Sequence, residues 1–156
     1  EISKSTARKI TLENQPAETY STGGAFALVD GIKGSQKNFG TSWLGFSGQD
    51  VVATIDLEEP TTISQIRFNT LDRQGSWIYP ASSATIWVSD DNVNFKKVAS
   101  AVSEDIEKNN GNLAISFPEI KTRYVKVKIN NLGIIPKGKE GAGNKAWLFV
   151  DEISIY

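Results

Sequence analysis

The chain alternates hydrophobic and polar residues in short runs that end at clusters of turn-forming residues. In the clearest run, RYVKVKI, Val125, Val127 and Ile129 fall on one face of a strand and the polar residues between them on the other. A strand with one solvated face is typical of antiparallel sheets. Similar patterns predict strands over residues 51–57, 62–71, 83–89, 95–100, 112–118, 123–132 and 147–156.

Helical periodicity is weak along the whole chain. Residues 103–109 (SEDIEKN) predict at most a turn or two of helix, and residues 90–94 (DDNVN) predict a hairpin turn. Many short strands without intervening helices favour an antiparallel β-sandwich. We therefore expect one all-β domain over residues 10–156, preceded by a leader or linker over residues 1–9. The chain has no Met, even at position 1, so we expect a piece of a longer protein.

Three long connections are rich in glycine: residues 31–48, 71–81 and 133–146. Loops of this length on a compact sandwich are usually functional. Glycine also lets a backbone approach another group closely. We therefore expect any ligand to be recognised by these loops.

The composition excludes several kinds of chemistry. The 156 residues include no Cys and no His, so disulfides, thiolate metal sites and a histidine base are absent. A net charge of −1 gives no broad attraction to nucleic acid or to an anionic membrane. No apolar run approaches the ~18 residues of a membrane-spanning helix. Catalysis would have to rely on carboxylates, hydroxyls and lysines.

Isolated acids stand beside two of the apolar runs. Asp151 and Glu152 lie inside the last strand, WLFVDEISIY, where carboxylates need a partner. Asp30 and Gly31 follow another apolar run and open a loop that reaches Thr41. Ca²⁺ prefers about six to eight oxygen ligands, many of them carbonyls, which this loop and the last strand could supply. The residues equally allow a turn capped by Asp30 and a salt bridge from Glu152 to a lysine.

The loop LDRQGSWIYP offers groups that suit a sugar. Asp72 and Arg73 can hydrogen-bond to hydroxyls, whereas Trp77 and Tyr79 should project the same way and offer rings to the apolar face of a sugar. The alternatives are that Trp77 packs beneath the loop and that Asp72 pairs with Arg73. Phe46, in SWLGFSG, is a further candidate for contact with the sugar, and a place in the core is the alternative.

Five segments in this order resemble a known family: LVDG with TSW, then VVATIDL, GSWIYP with IWVSDDNVNF, RYVKVKI and AWLFVDEISIY. They are similar to the F5/8 type C (discoidin-like) domain, and more narrowly to carbohydrate-binding module family 32. GSWIYP, WLGF and AWLFVDEI resemble most the C-terminal domains of bacterial, Bacteroides-like β-hexosaminidases and chitobiases. The resemblance implies an eight-stranded antiparallel jelly-roll sandwich of the galactose-binding-domain-like type.

The resemblance also implies one structural Ca²⁺ and places residues around it. The ligands would be the side chains of Asp30, Thr41 and Glu152 and the backbone carbonyls of Ala27, Ile32, Thr41 and Asp151. The Asp30-to-Thr41 spacing is longer than usual in the family, through an insertion near residues 33–39. In the family the loop before the last strand borders the sugar site, which adds Asn144 to the sugar-binding candidates. Trp43 and Trp147 are expected to be structural.

The resemblance implies a non-catalytic, monomeric carbohydrate-binding module of a larger glycoside hydrolase that is periplasmic, outer-membrane-associated or secreted. Its ligand would be a glycan ending in galactose or N-acetylhexosamine, and its partner a catalytic domain in the same chain. A glycosidase would need two convergent carboxylates about 5–9 Å apart, which adjacent pairs such as Asp90 and Asp91 do not provide. A lipid- or protein-binding adhesion domain and a spacer without a ligand are the alternatives.

Overall fold

The computed structural model describes residues 2–35 and 42–156. These residues form seven strands, one short helix and three 3₁₀ turns, and all pairings between the strands are antiparallel. The strands are β1 (Lys9–Leu12), β2 (Leu44–Ser47), β3 (Val51–Thr70), β4 (Ser83–Ser89), β5 (Lys96–Val102), β6 (Asn112–Asn130) and β7 (Trp147–Ile155). The helix is α1 (Ser103–Lys108), and the 3₁₀ turns are Glu18–Tyr20, Gly24–Leu28 and Gln74–Ser76. The predicted antiparallel all-β fold is confirmed.

Two strands are much longer than the sequence predicted. Residues 51–57 and 62–71 belong to the single strand β3, and residues 112–118 and 123–132 belong largely to β6. Register shifts between Asp56 and Thr61, and again near Ile63, let the β3–β6 ladder bend without ending. Pro60 is tolerated because it lies at this exposed bend. The described residues therefore contain seven strands rather than the expected eight.

The strand order brings the two halves of the long strands together around one core. The order is β2-β7-β3-β6-β4-β5, with β1 beside the first half of β3. One buried cluster contains residues from the two halves of β3 and from β4, β6 and β7, namely Ile55, Phe68, Ile86, Val127 and Ile153. The sheet therefore folds over on itself, and its burial of apolar surface provides the main stabilisation.

The segment expected to be a leader or linker is bound to the last strand. Ser5 is fully buried, and its hydroxyl donates a hydrogen bond to Ile153 O at 2.6 Å. Lys4 N donates to Ile155 O at 2.7 Å, and Ile155 N donates to Ser3 Oγ at 2.9 Å. Residues 3–8 therefore lie against the domain, whereas its boundary at residue 10 stays a prediction.

The predicted short helix is present as α1. Among the described residues no helix is long and apolar enough to cross a membrane. α1 lies before β6, and its Ile106 is fully buried in the main core. This places the exposed Glu107 beside the loop that follows β3.

Candidate functional site

The loop after β3 forms a small hairpin that is attached to the start of β7. Arg73 N donates to Ile78 O at 2.9 Å, and Ile78 N donates to Arg73 O at 3.1 Å. Trp147 N donates to Trp77 O at 2.8 Å, and Tyr79 N donates to Trp147 O at 3.0 Å. Trp77 closes the turn with a left-handed backbone, φ 64°. The shape of this hairpin is therefore set by the protein's own hydrogen bonds.

The side chain of Asn131 fixes the loop that precedes β7. Asn131 is buried, and its Nδ2 lies 3.1–3.2 Å from the carbonyl oxygens of Phe46, Gln49 and Ala146. Its Oδ1 accepts a hydrogen bond from Gly133 N at 2.8 Å. One buried amide thus connects both ends of the 131–146 loop with β2 and the turn that follows it.

A depression of about 390 Å³ lies between these two loops and α1. This volume falls at the small end of the ligand pockets that proteins usually present, about 300–1,000 Å³. Its polar lining combines two carboxylates, an amide, two hydroxyls and an ammonium group: Asp72, Glu107, Gln74, Ser82, Ser103 and Lys139. Such groups suit the hydroxyls of a sugar, which both donate and accept hydrogen bonds.

Two predicted sugar-binding residues, Asp72 and Tyr79, line this depression. Tyr79 is only 4% exposed, and its hydroxyl donates to Glu140 O at 2.8 Å. Burial raises the pKa of Tyr79, and the negative charges of Glu140 and Asp72 add to that rise. Tyr79 therefore serves as a wall of the depression rather than as an exposed platform.

Trp77 lies next to the depression but is not part of its lining. A Cβ atom at Gly141 would come within 2.6 Å of the Trp77 ring, so the indole packs directly on this glycine. Trp77 and Tyr79 both reach the same turn, around residues 139–143, but Trp77 stays 39% exposed. Its ring offers solvent an apolar surface beside the polar depression.

The other predicted sugar-binding residues do not line the depression. Asn144 is exposed, and its Nδ2 donates to Gly141 O at 3.0 Å, so its side chain stabilises its own turn. Arg73 is exposed, and its Nη1 reaches the backbone carbonyl of Asp72 at 3.4 Å. Phe46 is fully buried in the main core, so the prediction that it contacts a sugar is wrong.

An aromatic cleft of about 200 Å³ also borders the hairpin, and it was not predicted. Tyr20 packs edge-on against Trp147, with ring centroids 5.3 Å apart, and against Phe149 at 5.0 Å. These three rings line the cleft together with Ser76 and Ile78. Trp147, expected in the core, is half-buried here. The buried Trp43 packs nearby in the same cluster as Ile78 and Phe149, which confirms its structural role.

The acid Asp151 is buried, and protein donors surround its carboxylate. Gly34 N and Asn69 Nδ2 donate to Oδ2 at 2.8 and 3.0 Å, and Glu152 N donates to Oδ1 at 2.6 Å. Burial raises the pKa of Asp151, whereas these hydrogen bonds oppose the rise. The side chain of Asp151 therefore contacts the protein, so only its backbone carbonyl fits the predicted metal role.

Glu152 has a less favourable environment than its neighbour. It is 3% exposed, its carboxylate accepts hydrogen bonds from Gly31 N at 3.1–3.2 Å, and its carboxyl group forms a side-chain hydrogen bond with that of Asp30. Burial, with smaller contributions from the Asp30 hydrogen bond and from the charges of Asp30 and Asp151, raises the pKa of Glu152 to about 8. A cation bound beside Glu152 would stabilise its buried negative charge and offset the repulsion from the neighbouring carboxyl groups.

The other predicted metal ligands lie around this pair or cannot be placed. Ala27 is buried in the 3₁₀ turn before Asp30, and Ile32 is 55% exposed, with its N donating to Asp30 Oδ1 at 2.8 Å. Thr41 lies outside the described residues. Within the described part of the chain, no three or more acidic side chains are grouped to hold a metal. The donors present, two carboxylates and nearby backbone carbonyls, still fit a hard cation such as Ca²⁺.

The comparisons with known proteins agree on the fold. The sequence matches the F5/8 type C domain family over residues 5–151. No curated protein matches it. Chitosan-binding module 1, from a chitosanase/glucanase of Paenibacillus sp. IK-5, is 18% identical with a TM-score of 0.64, and 100% of this chain and 99% of that chain are covered.

Two Clostridium perfringens structures are similar to the same extent. CBM32-3, from a family 31 glycoside hydrolase, is 20% identical with a TM-score of 0.64, and coverage is 99% of this chain and 93% of that chain. A second protein, solved in complex with GalNAc-β-1,3-galactose, is 17% identical with a TM-score of 0.61, and coverage is 95% and 94%. At these identities the likenesses establish a shared fold.

Proposed function

The chain belongs to the F5/8 type C domain family, and we propose that it is a carbohydrate-binding module that holds a glycan without cleaving it. The depression between the 71–82 and 131–146 loops carries this proposal, because its mixed carboxylate, amide, hydroxyl and ammonium lining suits sugar hydroxyls. The proposal is supported by similar structures that bind sugars, including one in complex with GalNAc-β-1,3-galactose and another with chitotriose.

The ligand we propose is a terminal galactose or N-acetylhexosamine residue. Asp72 and Lys139 can bind neighbouring hydroxyls, as acceptor and donor, and Gln74 can bind an N-acetyl amide. The exposed face of Trp77 can pack on the apolar C–H face of the sugar or of the residue next to it. A shallow site of this kind favours weak, reversible binding.

The acidic residues support binding rather than hydrolysis. Asp151 and Glu152 are buried away from the depression, and the Asp91 carboxylate accepts hydrogen bonds from Val93 N and Asn94 N in its own turn. Asp72 and Glu107 do share the depression, so a binding assay should also monitor the release of reducing sugar. Hydrolysis of a bound glycan would contradict the non-catalytic role.

We also propose a structural Ca²⁺ between Asp30 and Glu152. When bound, the ion would balance the buried negative charge and join the 29–34 segment to β7. The supporting observation is the Glu152 carboxylate, which is buried beside two other carboxyl groups. Thr41 and the carbonyls of Ala27, Ile32 and Asp151 are the proposed further donors.

We place this module in a larger secreted or periplasmic glycoside hydrolase, such as a β-hexosaminidase or chitobiase from a Bacteroides-like bacterium. A weak module raises the local concentration of substrate for a tethered catalytic domain, so it contributes without any chemistry of its own. Association with the outer membrane and a monomeric state belong to the same proposal. Increased turnover of insoluble, but not soluble, substrate by the module-bearing enzyme would support it.

A glycan array with purified domain tests the binding proposal. Wild-type protein is compared with Asp72→Ala, which alters the depression, and with Lys137→Ala, an exposed position on the 131–146 loop outside the lining. Selective binding to terminal galactose or N-acetylhexosamine by wild type and Lys137→Ala, with loss in Asp72→Ala, is expected. An array without signal from folded wild-type protein would contradict the proposal.

A further inference from the structure

A groove of about 410 Å³ on the outer face of the sheet shares no lining residue with the loop depression. It crosses β3, β6 and β7, where strand alternation directs Phe68 and Leu113 towards the core and Arg67 outwards. The strand register places the small residues Ala114 and Ser154 on either side of Arg67. These short side chains leave open space around the guanidinium group.

Arg67 is held in place by groups that do not neutralise its charge. Its Nε donates to Gln65 Oε1 at 2.7 Å, and its Cζ lies 4.9 Å from the centre of the Tyr156 ring. The ion pairs formed among the described residues do not include Arg67. A guanidinium fixed at Nε presents its remaining N–H groups as a planar fork, which suits two oxygens of one carboxylate.

Amide groups and a second cation extend the groove beyond Arg67. Asn69 and Asn112 lie opposite each other on β3 and β6, and both line the groove. Asn112 Oδ1 is buried and has no hydrogen-bond partner, so it leaves an acceptor for a ligand hydroxyl. Lys33 adds a second positive charge, and Glu152 is the one carboxylate of the lining. Cations thus outnumber anions along the groove.

We propose that this groove is a second glycan-binding site, selective for a sugar that carries a carboxylate, such as a uronic acid residue. The carboxylate pairs with the Arg67 fork and is attracted by Lys33. A hydroxyl of the same or the next sugar donates to Asn112 Oδ1. The proposal does not require the loop depression to bind a sugar, because the two surfaces have separate linings.

Titration calorimetry with trigalacturonic acid and its methyl ester tests this site. Wild type is compared with Arg67→Gln and with Lys96→Gln, which removes the same charge from an exposed position on β5. The Asp72→Ala variant alters the loop depression and therefore shows whether the acid binds there instead. Circular dichroism shows that each variant is folded.

Wild type, Lys96→Gln and Asp72→Ala are expected to bind the acid, and Arg67→Gln to bind at least about tenfold more weakly, because a charge-assisted pair is lost. The methyl ester should also bind about tenfold more weakly than the acid. Equal binding by Arg67→Gln and wild type, or no binding by wild type, would overturn the proposal. Loss of binding in Asp72→Ala would overturn it as well, because the acid would then occupy the loop depression.

Discussion

The two ends of β7 differ in how fully the protein satisfies its own polar groups. At the Trp147 end, backbone hydrogen bonds connect β7 with the hairpin, and Asn131 secures the neighbouring loop. At the other end the buried carboxyl group of Glu152 interacts unfavourably with the carboxyl groups of Asp30 and Asp151. Among the described residues none of these three forms an ion pair with a basic side chain.

The surface at the Trp147 end is therefore already formed, whereas the Glu152 end carries unbalanced negative charge. The loop end keeps its shape through internal bonds, so a ligand can bind there without first ordering the protein. The Glu152 end holds buried negative charge, so its stability should depend on protons and cations in solution. Each of the following changes affects one end and should leave the other unchanged.

The largest expected effect is that of Asn131→Ala at the loop end. The substitution removes the Asn131 donor from the carbonyl oxygens of Phe46 and Gln49 and the Asn131 acceptor from Gly133 N, which should lower the free energy of unfolding by about 3 kcal/mol. Urea denaturation of Asn131→Ala and of the adjacent Asn130→Ala measures this. If both variants lose the same small amount of stability, the loop is not held by Asn131.

An effect on stability of similar size should distinguish the roles of Asp151 and Glu152, the two acids of β7. Saturating Ca²⁺ should stabilise wild type by about 2.7 kcal/mol at a hundredfold excess over Kd, and Glu152→Gln should lose this increment. Asp151→Asn should be destabilised with or without Ca²⁺, since its new NH₂ group would face Gly34 N and Asn69 Nδ2. Melting curves in Ca²⁺ and in chelator measure both. An identical Ca²⁺ response in Glu152→Gln and wild type would refute the cation site.

The pH dependence of folding stability should give a somewhat smaller effect, at the Glu152 end of β7. The folded pKa of Glu152, about 8, lies above its ordinary 4.5, so the folded state keeps a proton that the unfolded chain has released. The shift from 4.5 to about 8 sets an upper limit of about 5 kcal/mol on this effect. Because relaxation and water entry reduce the penalty of a buried charge, we expect stability in chelator to fall by about 2 kcal/mol over this pH range and then level off. Unfolding at a series of pH values measures this. Both Glu152→Gln and added Ca²⁺ should make the free energy of unfolding nearly independent of pH. A rise in stability over this pH range would contradict the prediction.

The smallest expected effect concerns the exposed ring at the loop end. Trp77→Ala should weaken glycan binding by about 1 kcal/mol, or roughly fivefold, through loss of ring–sugar packing. It should change the melting temperature little, because Trp77 is partly exposed and lies outside both main clusters. Trp87→Ala, on β4, is the control and should bind as wild type does. Undiminished affinity in Trp77→Ala would place the sugar elsewhere.

The sequence was sufficient to locate both ends of β7, because local signals mark them. Alternating residues in RYVKVKI and the apolar run of the last strand predicted β6 and β7, and two acids within that run indicated an unusual environment. The glycine-rich loops around Asp72 and before Trp147, which were expected to recognise a ligand, do border a depression, whereas binding there stays a prediction. Each of these signals lies within a few residues of the feature that it predicts.

Features that depend on contacts between residues far apart in the chain were not predicted from the sequence. Asn131 bonds to residues as far away as Phe46, 85 positions earlier, and its only local signal was an Asn–Asn pair after a strand. Phe46 was misassigned because a short run such as LGFS fits a buried strand and an exposed loop equally well. Lys139 and Glu107 join Asp72 only through the tertiary fold, so no sequence spacing could have indicated them.

The loop end should form a sugar site independently of the Glu152 end. A ¹⁵N–¹H NMR titration of the domain, kept in chelator, with N-acetylgalactosamine and galactose oligosaccharides tests it most directly. We expect the amide chemical shifts of residues 72–82 and 132–140 to change and those of residues 29–34 and 151–153 to stay constant. Shifts confined to the second set, or no shifts at millimolar sugar, would contradict it.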